Sequence, residues 1–586
     1  MRTATRILAA AALAALTAGC YPSHQGPNWP VTQRQRPFDQ MDAAMRREAP
    51  PVADSVTGER LVRARSEPQN WLTYYGAYDG QRHSSLSQIN AGNVAGLKAA
   101  WVFQTAPIGL IANPPSFSLE AAPIVVDGIM YLSGFDGYVW ALDAATGEEL
   151  WRYRHAIPLD LPLCCGNVNR GVAVARGRVF YSSPNGHLVA LDARTGKPVW
   201  TKVWLDPRAG ESSTMAPLVV KNLVIVGSSG AEYGVRGHID AFDLETGNRV
   251  WRRYGVPKPG EPGSETWGND EAWQRGGGSA WITGTYDPEL DILYWGTSNP
   301  SPDFDGSVRP GDNLYTDSVL ALDPDSGRIR WHYQFTPHDV WDYSGVNENI
   351  LIDQGGRRLL AHFDRNGYLF VLDRTNGRRV SVTQFGDRVT WGRIDPATGA
   401  VSNRLEPNAA GVEICPGPAG SKEWTHAAYS PKTGLLYTPV IDACATFRTY
   451  KNDFKEGLSY FGGEYKVDPA QVRGGAVKAY RIDGSLAWEW RYKFPIVSSV
   501  LSTGGDVLFV GTPDGQFIAL DSRNGRQLWS FRTGTGIHSN PVTYSVGGRQ
   551  YVAVPTGWGG WIKGFAPNLF GHERGSALFV FALPER

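Results

Sequence analysis

The chain has 586 residues, 57 Lys and Arg against 57 Asp and Glu, and so no formal net charge. With neither a basic surplus nor a Lys/Arg run, nucleic acid is excluded as an expected partner. By length alone several domains would be expected, but internal repetition argues for one.

Residues 1–20 read as an export leader: Arg2 and Arg6 give a positive start, Ile7 to Leu16 an apolar run, and Thr17-Ala18-Gly19-Cys20 a small-residue end. The run is too short to span a bilayer, so it signals export and does not anchor the chain. The Ala-Gly-Cys ending resembles a lipoprotein box, in which Cys20 becomes the lipidated first residue. The expected location is therefore the periplasm, with membrane attachment only through that lipid, in a compartment where disulfides persist. Removing the leader takes away Arg2 and Arg6, which leaves the mature chain nearly neutral. Residues 21–67, rich in Pro, Gln and Arg, read as a tether or loosely packed N-terminal arm with a short helix at Gln40–Arg47.

Residues 68–586 carry the repeat. Ala-Leu-Asp-x-x-Thr-Gly-x-x-x-Trp stands at Ala141–Trp151, Ala190–Trp200 and Ala241–Trp251, with small changes at Ala321–Trp331 and Ala519–Trp529. Weaker copies at Ile89–Trp101, Val371–Gly377 and Ala479–Trp488 bring the number to eight. Each joins a strand to an Asp/Gly turn and then to a strand opened by Trp. A four-strand unit recurring about every 50 residues predicts an all-β fold, an eight-bladed β-propeller of antiparallel blades. On this reading most of the 21 tryptophans pack between blades. The spacing stretches between Gly247 and Gly327 and between Gly377 and Gly484, and such inserts are expected to be functional loops. Strands at Pro541–Val554 and Ser576–Ala582 are expected to meet the strand at Trp101, removing exposed sheet edges.

Four cysteines lie beyond the leader, Cys164, Cys165, Cys415 and Cys444, and allow three pairings. Adjacent alpha carbons are only ~3.8 Å apart, below the ordinary disulfide range, so a Cys164–Cys165 bond would close a small rigid ring. Such a ring offers a flat sulfur surface to a planar cofactor.

The segment from Cys164 to Gly171, Cys-Cys-Gly-Asn-Val-Asn-Arg-Gly, resembles the signature of quinoprotein alcohol dehydrogenases. So do Gly230–Gly237, Tyr294–Pro300, Arg309–Asn313 and Thr336–Tyr343, in order, and the likeness runs from about Trp71 to the C-terminus. The resemblance is to the methanol and ethanol dehydrogenases that use pyrroloquinoline quinone (PQQ), a planar tricarboxylic quinone.

It implies a Cys164–Cys165 disulfide as one wall of the cofactor site and Trp281 as the other. Glu120, Arg170, Thr214 and Ser229 match positions that hydrogen-bond the cofactor, and Cys415–Cys444 matches a second, structural disulfide. Glu232 and Asn299 match the protein ligands of a hard cation, with Asp342 beside them. Relatives that use lanthanides carry a second Asp two positions after this one, where Ser344 stands here, so calcium is the expected ion. Asp342 matches the catalytic base and Arg365 the residue that supports charge on the quinone oxygen as hydride passes from the alcohol to the quinone.

No Cys-x-x-Cys-His haem motif occurs, so electrons are expected to pass to a separate acceptor such as a cytochrome c or a quinone. One departure concerns the substrate, a small alcohol. The family often places a Trp over its cavity where Pro495-Ile496-Val497-Ser498 stands here, which leaves the pocket's shape open. Two other readings keep the repeats: a non-catalytic propeller lipoprotein of outer-membrane assembly type, and a PQQ enzyme acting on sugars or aldehydes. The first has no use for Cys164, Cys165, Glu232, Asn299, Asp342 and Arg365 together.

Overall fold

The repeat's aspartate is a turn cap. Asp143 Oδ1 accepts hydrogen bonds from the backbone N–H of Ala145 and Thr146, both at 2.9 Å, and from the Thr146 hydroxyl at 3.1 Å. Asp192 does the same for Arg194 and Thr195. These bonds satisfy turn donors that no strand ladder reaches. The glycine that follows is required by its neighbour. Gly196 has φ +67°, and a Cβ there would lie 2.5 Å from Cε3 of Trp151, whose Nε1 donates to Ala193 O at 2.9 Å. The ring of one repeat thus lies flat on the turn of the next. Trp101 on Gly147, Trp200 on Gly247, Trp251 on Gly327, Trp331 on Gly377 and Trp488 on Gly525 repeat the contact, and at Gly484 the side chain in that place is Thr383.

The computed structural model describes residues 47–105, 118–158, 160–268, 271–560, 562 and 575–585. Among them the fold is all-β, with seven four-stranded antiparallel sheets and one five-stranded sheet, the extra strand being His83–Ser84, which pairs in parallel with Leu501–Thr503. Within each sheet the second and third strands are buried on both faces, as in Tyr131–Ser133 beside Val139–Leu142, while fourth strands alternate. The expected pairing at the chain ends is present: Lys98–Gln104 runs antiparallel to Ser576–Ala582, with Trp101 opposite Val580. No helix among the described residues is long and apolar enough to cross a membrane.

The arm differs from expectation. The leader, Cys20 and the helix expected at Gln40–Arg47, Arg47 apart, lie outside the described residues. From Glu48 onward, however, the chain belongs to one compact unit reaching Arg586. Short helices at Pro51–Ser55, Gly58–Val62 and Ala64–Ser66 put Ala53, Val56, Leu61 and Ala64 into the main hydrophobic core. Arg60 pairs with Glu67 inside the segment and with Asp127 of a sheet turn, each at 2.7 Å. From Glu48 to Glu67 the chain is therefore packed and not the loose arm expected there, because a few small or apolar residues suffice to seat a polar segment when the sheets supply the rest of the core.

Both inserts are loops with structure of their own. The first contains short turns at Ser264–Trp267 and Ala272–Arg275. The second holds a three-stranded sheet of Val412–Ile414, Ala445–Thr449 and Gly463–Lys466 and the Cys415–Cys444 disulfide.

Candidate active site

Backbone bonds from neighbouring sheets set the loop at Cys164–Gly171. Ala122 N–H donates to Arg170 O and Arg170 N–H to Thr214 O, both at 2.9 Å, and Asn169 Nδ2 donates to Ser182 O at 2.8 Å. The Arg170 side chain is thereby aimed inward. It donates to the Thr214 hydroxyl, pairs with Glu120 at 3.1 Å, and lies 4.4 Å from the Trp424 ring centre and 5.2 Å from that of Trp281. Burial pushes the Glu120 carboxyl up, against the pull of Arg170.

Asp342 is presented by a turn that Asp339 caps. Asp339 accepts from Trp341 N and Tyr343 N at 2.7 Å and from Ser344 N at 3.3 Å. The turn holds Asp342 at φ +64° and Ser344 at φ +54°, a region that side chains with a Cβ seldom adopt and that is maintained where surrounding structure over-determines it. Arg365 stands 3.7 Å from Asp342 and is backed by Ser421 N–H on its carbonyl and by its own bond to Pro418 O. Burial raises Asp342 well above the usual carboxylate range, Arg365 opposing and Glu232 adding to the rise. Glu232 lies in the turn Ala231–Tyr233, pinned by Tyr460 N–H on its carbonyl at 2.7 Å.

These residues surround one cavity. Every residue expected to hold the cofactor or the metal or to act in catalysis lines it: Glu120, Cys164, Cys165, Arg170, Thr214, Ser229, Glu232, Trp281, Asn299, Asp342 and Arg365. One expectation fails. Cys164 and Cys165 are free thiols, with their sulfurs and a Glu232 oxygen all within 4.8 Å of one another. The pair lines the cavity without the bond, in keeping with the short alpha-carbon spacing that makes such a ring strained. Its hydrogen bond with Cys165, then burial and Glu232, push the Cys164 thiol well above its usual range.

Three lining residues were not found from sequence: Glu423, Trp424 and His538. Glu423 and Trp424 lie in the second insert, which its length had marked as functional. His538 sits after a repeat copy with no motif around it, and nothing local signals it. Burial, then Arg170, pulls its imidazole down to about 3, so it is neutral. The Pro495–Ser498 segment is buried, Val497 packing with Trp558 and Ala419.

The donor set fits PQQ. Arg170 Nε, Arg365 Nε, the Ser229 hydroxyl and both His538 nitrogens are buried without a hydrogen-bond partner among the described residues. Buried polar groups are seldom left so, and a flat polycarboxylic quinone between the thiols and Trp281 would satisfy them. Glu232 and Asn299 present oxygens to one end of the cavity, as a hard cation requires.

Comparison with known proteins agrees with this geometry. A family model for PQQ-dependent glucose, ethanol and alcohol dehydrogenase β-propeller domains matches residues 71–384 and 472–552. The quinoprotein alcohol dehydrogenase PedH of Pseudomonas putida is 35% identical over 91% of this chain and 94% of its own. The quinohemoprotein alcohol dehydrogenase ADH IIB of the same species is 39% identical over 91% and 81%, and the lanthanide-dependent methanol dehydrogenase of Methylorubrum extorquens 36% over 91% and 97%. The solved structure of a europium-containing methanol dehydrogenase superposes with a TM-score of 0.83 at 35% identity, covering 90% of this chain and all of that one. The chain belongs to the PQQ-dependent alcohol dehydrogenase family of β-propeller quinoproteins.

Proposed function

We propose that this protein is an exported quinoprotein dehydrogenase that oxidises an alcohol to an aldehyde or ketone and hands its electrons to a separate acceptor, a cytochrome c or a quinone. The observation that carries the reading is the convergence of Arg170, Trp281, Glu232, Asn299, Asp342 and Arg365, drawn from loops and turns beside several sheets, on one cavity with donors unpartnered among the described residues. Bound there, PQQ supplies the two-electron oxidant. Arg170, Ser229 and His538 would hold its carboxylates, with Trp281 beside it. Glu232 and Asn299 hold the cation, for which Ser344 favours calcium. Asp342 takes the proton of the alcohol hydroxyl, and Arg365 keeps a positive charge beside it. The buried walls exclude water from the reacting bond.

The eight sheets are read as blades of one ring, which would leave no sheet edge bare. Export to the periplasm and a lipid on Cys20 belong to the same proposal and rest on the leader.

The test is to reconstitute the purified chain with PQQ and calcium and measure oxidation of primary and secondary alcohols, aldehydes and sugars with an artificial acceptor. Alcohol oxidation that requires PQQ is the expected result. Failure on all alcohols while the protein binds PQQ would remove the assignment.

A further inference from the structure

The thiols of Cys164 and Cys165 have no chemical role in the oxidation described above, yet both meet one carboxyl. Their sulfurs and a Glu232 oxygen all lie within 4.8 Å of one another. Adjacent side chains of an extended chain point to opposite faces. Here the chain is turned instead, with Leu163 N–H on Leu161 O at 3.0 Å and Gly166 at φ +78°, so two neighbouring residues can serve one point. The third group is firmly placed. The Glu232 turn, Ala231–Tyr233, is bounded by Gly230 at φ +116° and Gly234 at φ +67°, and a Cβ on Gly230 would lie 2.2 Å from Gly210 O.

Two sulfurs and a carboxylate oxygen form a ligand set with a definite preference. Zinc takes sulfur at about 2.3 Å and carboxylate oxygen at about 2.0–2.2 Å in a tetrahedron, which sets neighbouring ligand atoms about 3.6–3.8 Å apart. The trio stands close to that spacing, and shifts on the order of 1 Å complete it. Calcium takes oxygen ligands and is poorly served by thiolates. All three residues line the cavity, so the fourth position of the tetrahedron is open to it. We propose that Cys164, Cys165 and Glu232 together bind a thiophilic divalent cation, zinc or a metal like it, while the thiols are reduced, and that this ion excludes the hard cation for which Glu232 is also a ligand. The exclusion rests on the alcohol dehydrogenase reading, and the thiophilic site stands without it. The metal replaces the thiol protons, so protons are released on binding and no electron moves.

The experiment uses the full chain without PQQ, reduced and kept free of oxygen, with cobalt(II) and zinc as the probes. Cobalt reports thiolate ligands by a sulfur-to-metal charge-transfer band. The expected result is that band at one cobalt per chain, its loss as zinc displaces cobalt, and proton release seen with an indicator dye. Cys164→Ser and Cys165→Ser should each weaken zinc binding by about 100-fold or more, since loss of even an outer-shell partner costs about 10–100-fold. Glu232→Gln should weaken it by about tenfold or more. Alkylating the thiols of the folded wild type should abolish the band, which keeps the test decisive should a variant fail to fold. No charge-transfer band, or equal zinc affinity in wild type and both serine variants, would overturn the site. The second arm titrates calcium calorimetrically into the chain with PQQ, zinc-loaded and zinc-free. Calcium affinity should fall by about tenfold or more when zinc is bound, and equal affinity would overturn the exclusion. A chain that binds zinc as stated but oxidises no alcohol with PQQ and calcium would overturn the activity and uphold the site.

Discussion

Asp342 carries two burdens that ordinary carboxylates do not: a backbone at φ +64° and a buried charge opposite Arg365. The first aims it and the second makes it basic. Replacing it by Asn preserves shape and cavity, so PQQ binding, followed by quenching of tryptophan fluorescence, should change little while kcat falls by about 10²–10⁴-fold. Near-normal turnover would mean that another group takes the proton. Ser344 lies two residues on, wholly buried, its hydroxyl without a hydrogen-bond partner among the described residues. Its φ of +54° is one that aspartate tolerates better than most residues. Ser344→Asp should raise the ratio of lanthanum-supported to calcium-supported activity, since added ligand charge favours a trivalent ion. A wild type already faster with lanthanum would show that Ser344 does not set the choice.

At the scale of the element, the segment Gly420–Ala427 explains how one loop delivers both a cavity wall and the backing of Arg365. Glu348, fully buried, accepts from Lys422 Nζ at 2.8 Å and Ala427 N at 2.8 Å and lies 3.3 Å from His426 Nδ1, while His426 Nε2 meets the Tyr74 hydroxyl at 2.8 Å. Glu423 and Trp424 sit between these anchors. Although burial pushes Glu348 up, Lys422 and His426 draw it down to about 2. A carboxyl depressed in the fold contributes stability that is present above its unfolded pKa and lost as pH falls through the folded one, here between about 4.5 and about 2. Burial also pulls the Lys422 ammonium below its ordinary range, which offsets part of that gain. Glu348→Ala should cost about 3–5 kcal/mol at neutral pH by stranding Lys422. It should also flatten the acid limb of the stability curve, as read by denaturant unfolding from pH 7 to pH 2. An unchanged acid limb would assign the limb to other carboxyls.

Across the whole molecule, cohesion between sheets rests on the tryptophan of one repeat lying on the glycine of the next. Trp151→Ala removes the ring and its bond to Ala193 and should destabilise by about 3–5 kcal/mol. Gly196→Val attacks the same contact from the other side, through a Cβ 2.5 Å from the ring and a backbone at φ +67°. If the contact is one unit, the double variant should cost less than the sum of the two, measured as a double-mutant cycle of unfolding free energies. Additive losses would show that the two residues act separately.

Much of this was legible because it is local or periodic. The Asp-x-x-Thr-Gly turn bonds to itself, so it reads the same wherever it falls, and the following Trp recurs because each sheet meets its neighbour in the same way. The matched motifs likewise named Arg170, Glu232, Asn299 and Asp342, each of which lies in a distinctive run. Other features depended on groups far apart in the chain. The arm beyond Glu48 looked polar because its buried residues are few, and its burial depends on sheets contributed by the rest of the protein. Glu423 and His538 had no local signature, since the groups that meet them are far along the chain: Arg365 and then Arg170 for Glu423, and Arg170 for His538. The buried nitrogens of Arg170, Arg365 and His538 that have no hydrogen-bond partner among the described residues became visible only in the fold, and partnership is a property of tertiary structure: the sequence shows that a residue can bond, and only the packed chain decides whether anything is there to bond with.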